Sequence, residues 1–173
     1  MRPSVHSNTR ISPTAHLPLT ALIEAIQQAA NQYFRLVILA GLPGSGKTAA
    51  LQVVEQTAGC QIVNVNLELS RKMLELTRTQ RSRQVERLLK EVIADVPGEV
   101  VLLDNLEILF DTGLEVEPLR LLQISSRNRT IVASWSGTFV AGTLAYAEPG
   151  HPEFVQFKQV DAVVISAGSG TAN

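Results

Sequence analysis

Cysteine is all but missing from this chain of 173 residues: Cys60 stands alone, which excludes an internal disulfide and fits a reducing compartment. It sits just before an apolar run and reads as a small buried hydrophobe. An excess of charge is missing too. Fifteen Lys and Arg against sixteen Asp and Glu leave a formal net charge of -1, which excludes a global basic field for nucleic acid. Long apolar runs are also lacking. The strongest, Leu36–Ala40 and Val100–Leu103, are far too short to span a bilayer, so no membrane partner is expected. Met1–His16 has two arginines but no apolar core of a signal sequence. It is Ser-rich and acid-free, faintly like a transit peptide, and reads as a flexible arm. His6, His16 and His151 have no metal-ligand spacing with any partner. What remains is 45% hydrophobic and 18% charged, the composition of one compact globular domain with a real core.

Periodicity places the elements. Leu19, Leu22, Ile23 and Ile26 mark a helix over about Pro18–Asn31. Leu36–Ala40 reads as a strand buried on both faces. Lys47–Ala58 reads as a helix stopped by Gly59, and Gln61–Val65 as a second strand. Leu67–Leu76 is expected to be helical, with Asn66 as its cap. Thr77–Gln84 is wholly polar and basic, and a helix face runs from Val85 to about Asp95. After the turn Pro97-Gly98 come a strand Val100–Leu103 and a helix Pro118–Ser126. Further strands are expected at Thr130–Ala133, at Thr138–Tyr146 with a turn at Ala141-Gly142, and at Ala162–Ile165. Glu148–Pro152 is irregular. Strands alternating with helices imply parallel β-α-β units with right-handed crossovers. The expected organisation is a flexible arm at 1–16, one domain at 17–167 and a tail at 168–173.

Gly41-Leu42-Pro43-Gly44-Ser45-Gly46-Lys47-Thr48 has the P-loop spacing of two glycines, a lysine and a hydroxyl. Each residue type is needed. The glycines let successive N–H groups turn inward on an anion. The next helix, from Lys47 through Ala49, aims its N-terminal N–H groups and positive dipole end at the same phosphates. Lys47 reaches the terminal phosphates, and the Thr48 hydroxyl reaches Mg²⁺. The pattern sits between an apolar strand and a helix, as a triphosphate site requires. ATP and Mg²⁺ are therefore the expected ligands. Val100–Asp104 supplies the second half: a buried strand that carries a carboxylate, Asp104, to the sheet edge beside the loop, where it holds Mg²⁺ through water.

ATPases of the AAA-like branch, which this arrangement resembles, usually place a glutamate straight after that aspartate. Asn105 stands there and cannot act as a base. Glu107, two residues on, is either the base that polarises water or a solvated surface acid. Slow hydrolysis is the expectation. Ser136 lies where such ATPases carry a polar γ-phosphate sensor, usually Asn or Thr; Ser134 lies in the same region. Trp135 is expected to end the fourth strand as a core or site-wall residue. Arg127 and Arg129 precede that strand. They are candidates for arginines that reach a neighbour's γ-phosphate, against the simpler reading of cations at a helix C-terminus.

Charge is segregated along the chain. Arg71, Lys72, Arg78, Arg81, Arg83, Arg87 and Lys90 fall in one stretch with three glutamates. Glu99, Asp104, Glu107, Asp111, Glu115 and Glu117 fall in another with no base. Such surfaces suit head-to-tail association, or are two solvated faces. Direct DNA contact through Arg78, Arg81 and Arg83 is conceivable but not indicated, because no aromatic side chain interleaves them for base stacking.

Five stretches together carry a closer resemblance. They are Gly41–Thr48, Asn64-Val-Asn-Leu-Glu-Leu-Ser70, Leu102-Leu-Asp-Asn-Leu-Glu-Ile-Leu-Phe110, Ser126-Arg-Asn-Arg-Thr130 and Tyr146-Ala-Glu-Pro-Gly-His-Pro-Glu153. Over residues 20–166 the chain resembles the BrxF-type small P-loop proteins of type 3 BREX phage-defence systems. The P-loop itself is generic; the other stretches are more specific. The resemblance implies a bacterial cytoplasmic protein working beside a DNA methyltransferase, a phosphatase-like protein and a helicase.

The expected fold is thus a three-layer α/β P-loop NTPase of the AAA-like type, with a mostly parallel five-stranded sheet and no C-terminal helical lid. The expected function is a slow or partner-stimulated ATPase switch, assembling with itself or with a related ATPase. A non-hydrolysing nucleotide-binding module and a small nucleotide kinase are the alternatives. The kinase would need a basic lid late in the chain, where residues 136–160 hold only Lys158 as a base.

Overall fold

The computed structural model describes residues 19–168. The expected arm 1–16, Pro18 and residues 169–173 of the expected tail lie outside the described residues.

Five strands form the parallel core: β1 (Leu36–Gly41), β2 (Gln61–Asn64), β3 (Val100–Asp104), the first part of β4 (Thr130–Val140) and β7 (Val163–Ser166), in the order β2-β3-β4-β1-β7. β1 runs between β4 and β7, with Leu36 opposite Ile131 and Val37 opposite Val163. Its side chains alternate between two helical layers, and this is why it reads as a continuous apolar run. Val37 and Leu39 pack against α1 (Leu19–Ala29) and α2 (Lys47–Ala58), through Leu22, Ala25, Leu51 and Val54. Leu36, Ile38 and Ala40 face α3 (Val65–Lys72), α4 (Arg78–Ala94) and α5 (Pro118–Ser125), through Leu69, Val85, Leu89 and Leu122. Each fully buried leucine contributes on the order of 2 kcal/mol, so the two apolar layers clamp the strand that delivers the phosphate loop.

Several boundaries differ from the sequence reading. Asn64, not Asn66, caps α3, its side chain accepting the Leu67 N–H at 2.9 Å. The polar stretch from Thr77 is the start of α4. Thr77 and Gln80 close a reciprocal capping box there, so the first turn needs no apolar face. β4 has 11 residues rather than ending at Trp135. Beyond Gly41↔Ser136 it outruns its parallel neighbour and pairs antiparallel with β5 (Thr143–Tyr146), which in turn pairs with β6 (Val155–Phe157). Gly137 permits this switch: a Cβ there would stand 1.8 Å from the Ala145 carbonyl oxygen. Trp135, fully buried, donates its indole N–H to that carbonyl at 2.9 Å and locks the extension to the core. Two 3-10 turns, Glu107–Phe110 and Thr112–Leu114, link β3 to α5. No helix follows β7 among the described residues, and no described helix is long and apolar enough to cross a membrane.

Candidate functional site

Parallel strands all point their C-terminal ends the same way, so the residues following β1, β3 and the core part of β4 meet at one edge of the sheet. After β1 the chain must turn hard. Gly41 is closed to any side chain, since a Cβ would lie 2.4 Å from Ser45 Oγ and 3.0 Å from Ala167 Cβ. Gly44 and Gly46 take φ of 79° and 87°, left-handed values that side chains disfavour. Gly46 is the N-cap of α2 and brings no side chain of its own to the helix N–H groups, which leaves them for an anion. Leu42 and Pro43 ride exposed over this turn, and Ala49 is exposed in the first turn of α2.

Lys47, the first residue of α2, is buried under the loop. Its Nζ donates to the carbonyls of Gly41 at 2.7 Å and Leu42 at 2.9 Å, with Ser45 Oγ at 3.5 Å. Burial lowers its pKa, and the nearby charges of Asp104 and Glu107 pull it back up. The ammonium thus sits in a field made by the two acids expected to serve the metal and the water.

Asp104 is buried between two hydroxyls. Thr48 Oγ1 donates to Oδ2 at 2.8 Å, and Ser134 Oγ donates to Oδ1 at 2.5 Å. The pairing of Leu103 with Ala133 sets the next residues, Asp104 and Ser134, side by side. Sequence reasoning gives Ser134 too little weight. Its signal is a small polar residue at the i−2 position from Ser136 on an otherwise apolar strand, which puts both hydroxyls on one face. The donor set fits Mg²⁺: a threonine hydroxyl and a carboxylate, both hard oxygens, adjoin at the loop. No group of three or more His, Cys, Asp or Glu forms a metal cage among the described residues. Mg²⁺ characteristically binds through one or two protein oxygens plus phosphate and water.

Glu107 enters the same space by a backbone device. Asn105 takes φ 55°, a left-handed value that Asn tolerates, and its carbonyl accepts the Asn66 N–H at 2.9 Å. The turn re-aims the chain into the 3-10 helix, and Glu107 Oε1 accepts from Ser136 Oγ at 3.2 Å. Lys47, Thr48, Asp104, Glu107, Ser134 and Ser136 are therefore one constellation.

Arg127 and Arg129 are not brought to it. They precede β4, at the end of the sheet where β1 begins, so the sheet separates them from the phosphate loop of their own chain. Arg129 donates to the carbonyls of Ile93 at 2.7 Å and Val96 at 2.5 Å, and also to Gly98. Arg127 is exposed, with its guanidinium 5.0 Å from the centre of the Tyr33 ring. The basic stretch is partly neutralised within the chain: Arg71 pairs with Glu68, Lys72 and Arg87 with Glu91, and Lys90 with Glu86. Arg78 and Arg81 lie beside Asp111 and Gly113, so the basic and acidic stretches meet at that point within one chain.

The family match agrees with this geometry. The model of the ATPase family associated with various cellular activities (AAA) matches residues 37–123. Among solved structures the chain is similar to PCH-2 of C. elegans, at 16% identity and a TM-score of 0.46, covering 87% of this chain and 41% of that one. It is also similar to AMPPCP-bound DnaA of Aquifex aeolicus, at 16% identity and a TM-score of 0.45, covering 91% of this chain and 47% of that one. The chain spans less than half the length of each. No curated protein matches it.

Proposed function

This chain belongs to the ATPase family associated with various cellular activities, and from that premise we propose that it is an ATP–Mg²⁺-binding switch with slow or partner-stimulated hydrolysis. The observation that carries the reading is the bridge from Thr48 through Asp104 to Ser134, set beside buried Lys47. Lys47 and the N–H groups from Gly44 to Ala49 hold the phosphates. Thr48 and Asp104 would hold Mg²⁺, which would supply charge neutralisation for the phosphates. Glu107, oriented by Ser136, accepts the proton of the attacking water.

Slowness follows from Asn105. The acid that accepts the proton stands two residues later and reaches the site only through a left-handed turn and a single hydroxyl contact. Steady-state phosphate release is the test. Turnover well below about 10 per second, the general enzyme median, is expected, and turnover above it contradicts the reading. The same asparagine favours a second reading, a nucleotide-binding module that does not hydrolyse and whose bound ATP only sets partner affinity. Phosphate release at background level with every partner present would select it.

The biological setting we infer is the bacterial cytoplasm, beside other components of a BREX phage-defence system. Its support is the resemblance of Asn64–Ser70, Leu102–Phe110, Ser126–Thr130 and Tyr146–Glu153 to that family. AAA proteins commonly oligomerise, and we infer nucleotide-dependent assembly with a second copy or a related ATPase. Arg129 is engaged by carbonyls of its own chain, so exposed Arg127 is the better donor to a neighbour's phosphate. Sedimentation with and without ATP–Mg²⁺ tests this. Arg127→Ala should weaken association and turnover while sparing nucleotide affinity; a monomer under every condition and unchanged turnover in the variant would refute it.

A further inference from the structure

The antiparallel extension borders an open cleft. Between it and the phosphate loop lies a cavity of about 1030 Å³, the size of a small-molecule site. Leu42 and Pro43 of the loop form one side, and β4 at Ser136 and Gly137 forms another. Tyr146 lines it too, and behind the cavity that ring stacks flat on Phe110 at 3.4 Å, which Trp135 meets edge-on at 5.0 Å. Phe154 adds a further apolar surface.

The charge lining this cavity has one sign. Glu107, Glu148 and Glu153 line it, with His151, and among the described residues no lysine or arginine does. None of these glutamates takes part in an ion pair among the described residues. Tyr146 donates its hydroxyl to Glu153. Its pKa is pushed up to about 12, first by burial and then by the charges of Glu153 and Glu107. Glu153 and Glu107 thus both act on the Tyr146 ring, and an apolar cavity with negative charge about that ring selects a ligand with the opposite arrangement.

The geometry points to a second binding site, for an organic cation: an ammonium or amidinium on an apolar stem, the stem against Leu42, Pro43 and Phe154 and the charge among Glu107, Glu148 and Glu153. Binding there needs no nucleotide. Only its effect on turnover, through Glu107 at the junction with the phosphate loop, rests on the ATPase reading.

The test titrates benzamidine into the full chain without nucleotide, with benzamide as the neutral isostere, followed by calorimetry and backbone amide shifts. Benzamidine should bind at least about tenfold more tightly, the value of one charge-assisted contact, and shift residues 146–156. Glu148→Gln with Glu153→Gln should weaken it about tenfold, since glutamine keeps a partner for Tyr146 but loses the charge. Should the double variant unfold, Glu148→Gln alone, at an exposed position, carries the comparison. Equal binding of the two probes, shifts elsewhere, or unchanged affinity in the variant overturns the proposal. A glycine-flanked arginine peptide separates the sources: tighter binding than benzamidine assigns the cation to a protein side chain, and weaker binding assigns it to a free molecule. Lys47→Ala should lose ATP yet keep benzamidine, so failure of the nucleotide reading and failure of this site remain distinguishable.

Discussion

Lys47 and Arg129 are two cations at opposite ends of the same sheet, and both donate to backbone carbonyls. Lys47 holds two carbonyls of its own loop, within the field of two carboxylates, and burial already depresses its pKa. Arg129 holds carbonyls of Ile93, Val96 and Gly98, where α4 ends and the chain turns into β3, and no acid faces it in an ion pair among the described residues. A lysine on a flexible stem exchanges partners readily, whereas a planar guanidinium fork fits a fixed set of acceptors. On the proposed function, one end of the sheet trades ligands and the other holds the chain together.

Substitutions should separate the two ends. The largest effect is expected from Arg129→Ala, which leaves three carbonyls without their charged donor and should cost about 3 kcal/mol of stability. Chemical denaturation measures it, and ATP affinity in the folded fraction should be unchanged. A loss of ATP affinity with normal stability would show that Arg129 belongs to the site. Glu107→Gln should lower turnover about a hundredfold, the lower range for a general base, with stability and ATP affinity held. Normal phosphate release in that variant would return Glu107 to a solvated acid.

A smaller effect concerns pH. Because the pKa of Lys47 lies below the ordinary 10.5, ATP affinity should begin to fall at a lower pH than a free lysine would allow, as the ammonium loses its proton. Its contribution to stability should move the other way. Below the folded-state pKa both folded and unfolded chains hold the proton, and the cost of burying the charge is fully present. As pH rises through that pKa the folded chain releases the proton first, and the cost is relieved. Affinity and melting temperature measured from neutral to alkaline pH should diverge, and parallel curves would contradict the assignment.

The ligand-trading end is the more legible in sequence. The phosphate loop is local, so Gly41–Thr48 with its flanking strand and helix can be read directly, and the apolar run ending in Asp104 reads almost as plainly. The holding end is not local: Arg129 finds its acceptors more than thirty positions upstream, after α4 and β3 have packed. The hairpin over Thr138–Tyr146, turning at Ala141-Gly142, is legible, but its continuity with the fourth strand through Ser134–Gly137 is not, because one strand there changes from a parallel to an antiparallel partner. β6 is three residues long and has no period to detect. Asn105 carries a readable hint, an asparagine able to take a left-handed turn, but its effect on Glu107 depends on where Ser136 lies across the sheet.

The central claim is that Lys47 serves an anion and not the core. Calorimetric titration of ATP–Mg²⁺ into wild type and Lys47→Ala, with thermal melts of both, tests it most directly. A drop in affinity of about a hundredfold, the loss expected for a charge-assisted contact to phosphate, with an unchanged or raised melting temperature, is the predicted result. Equal ATP binding by the two proteins, or a variant that loses its fold along with its ligand, would contradict it.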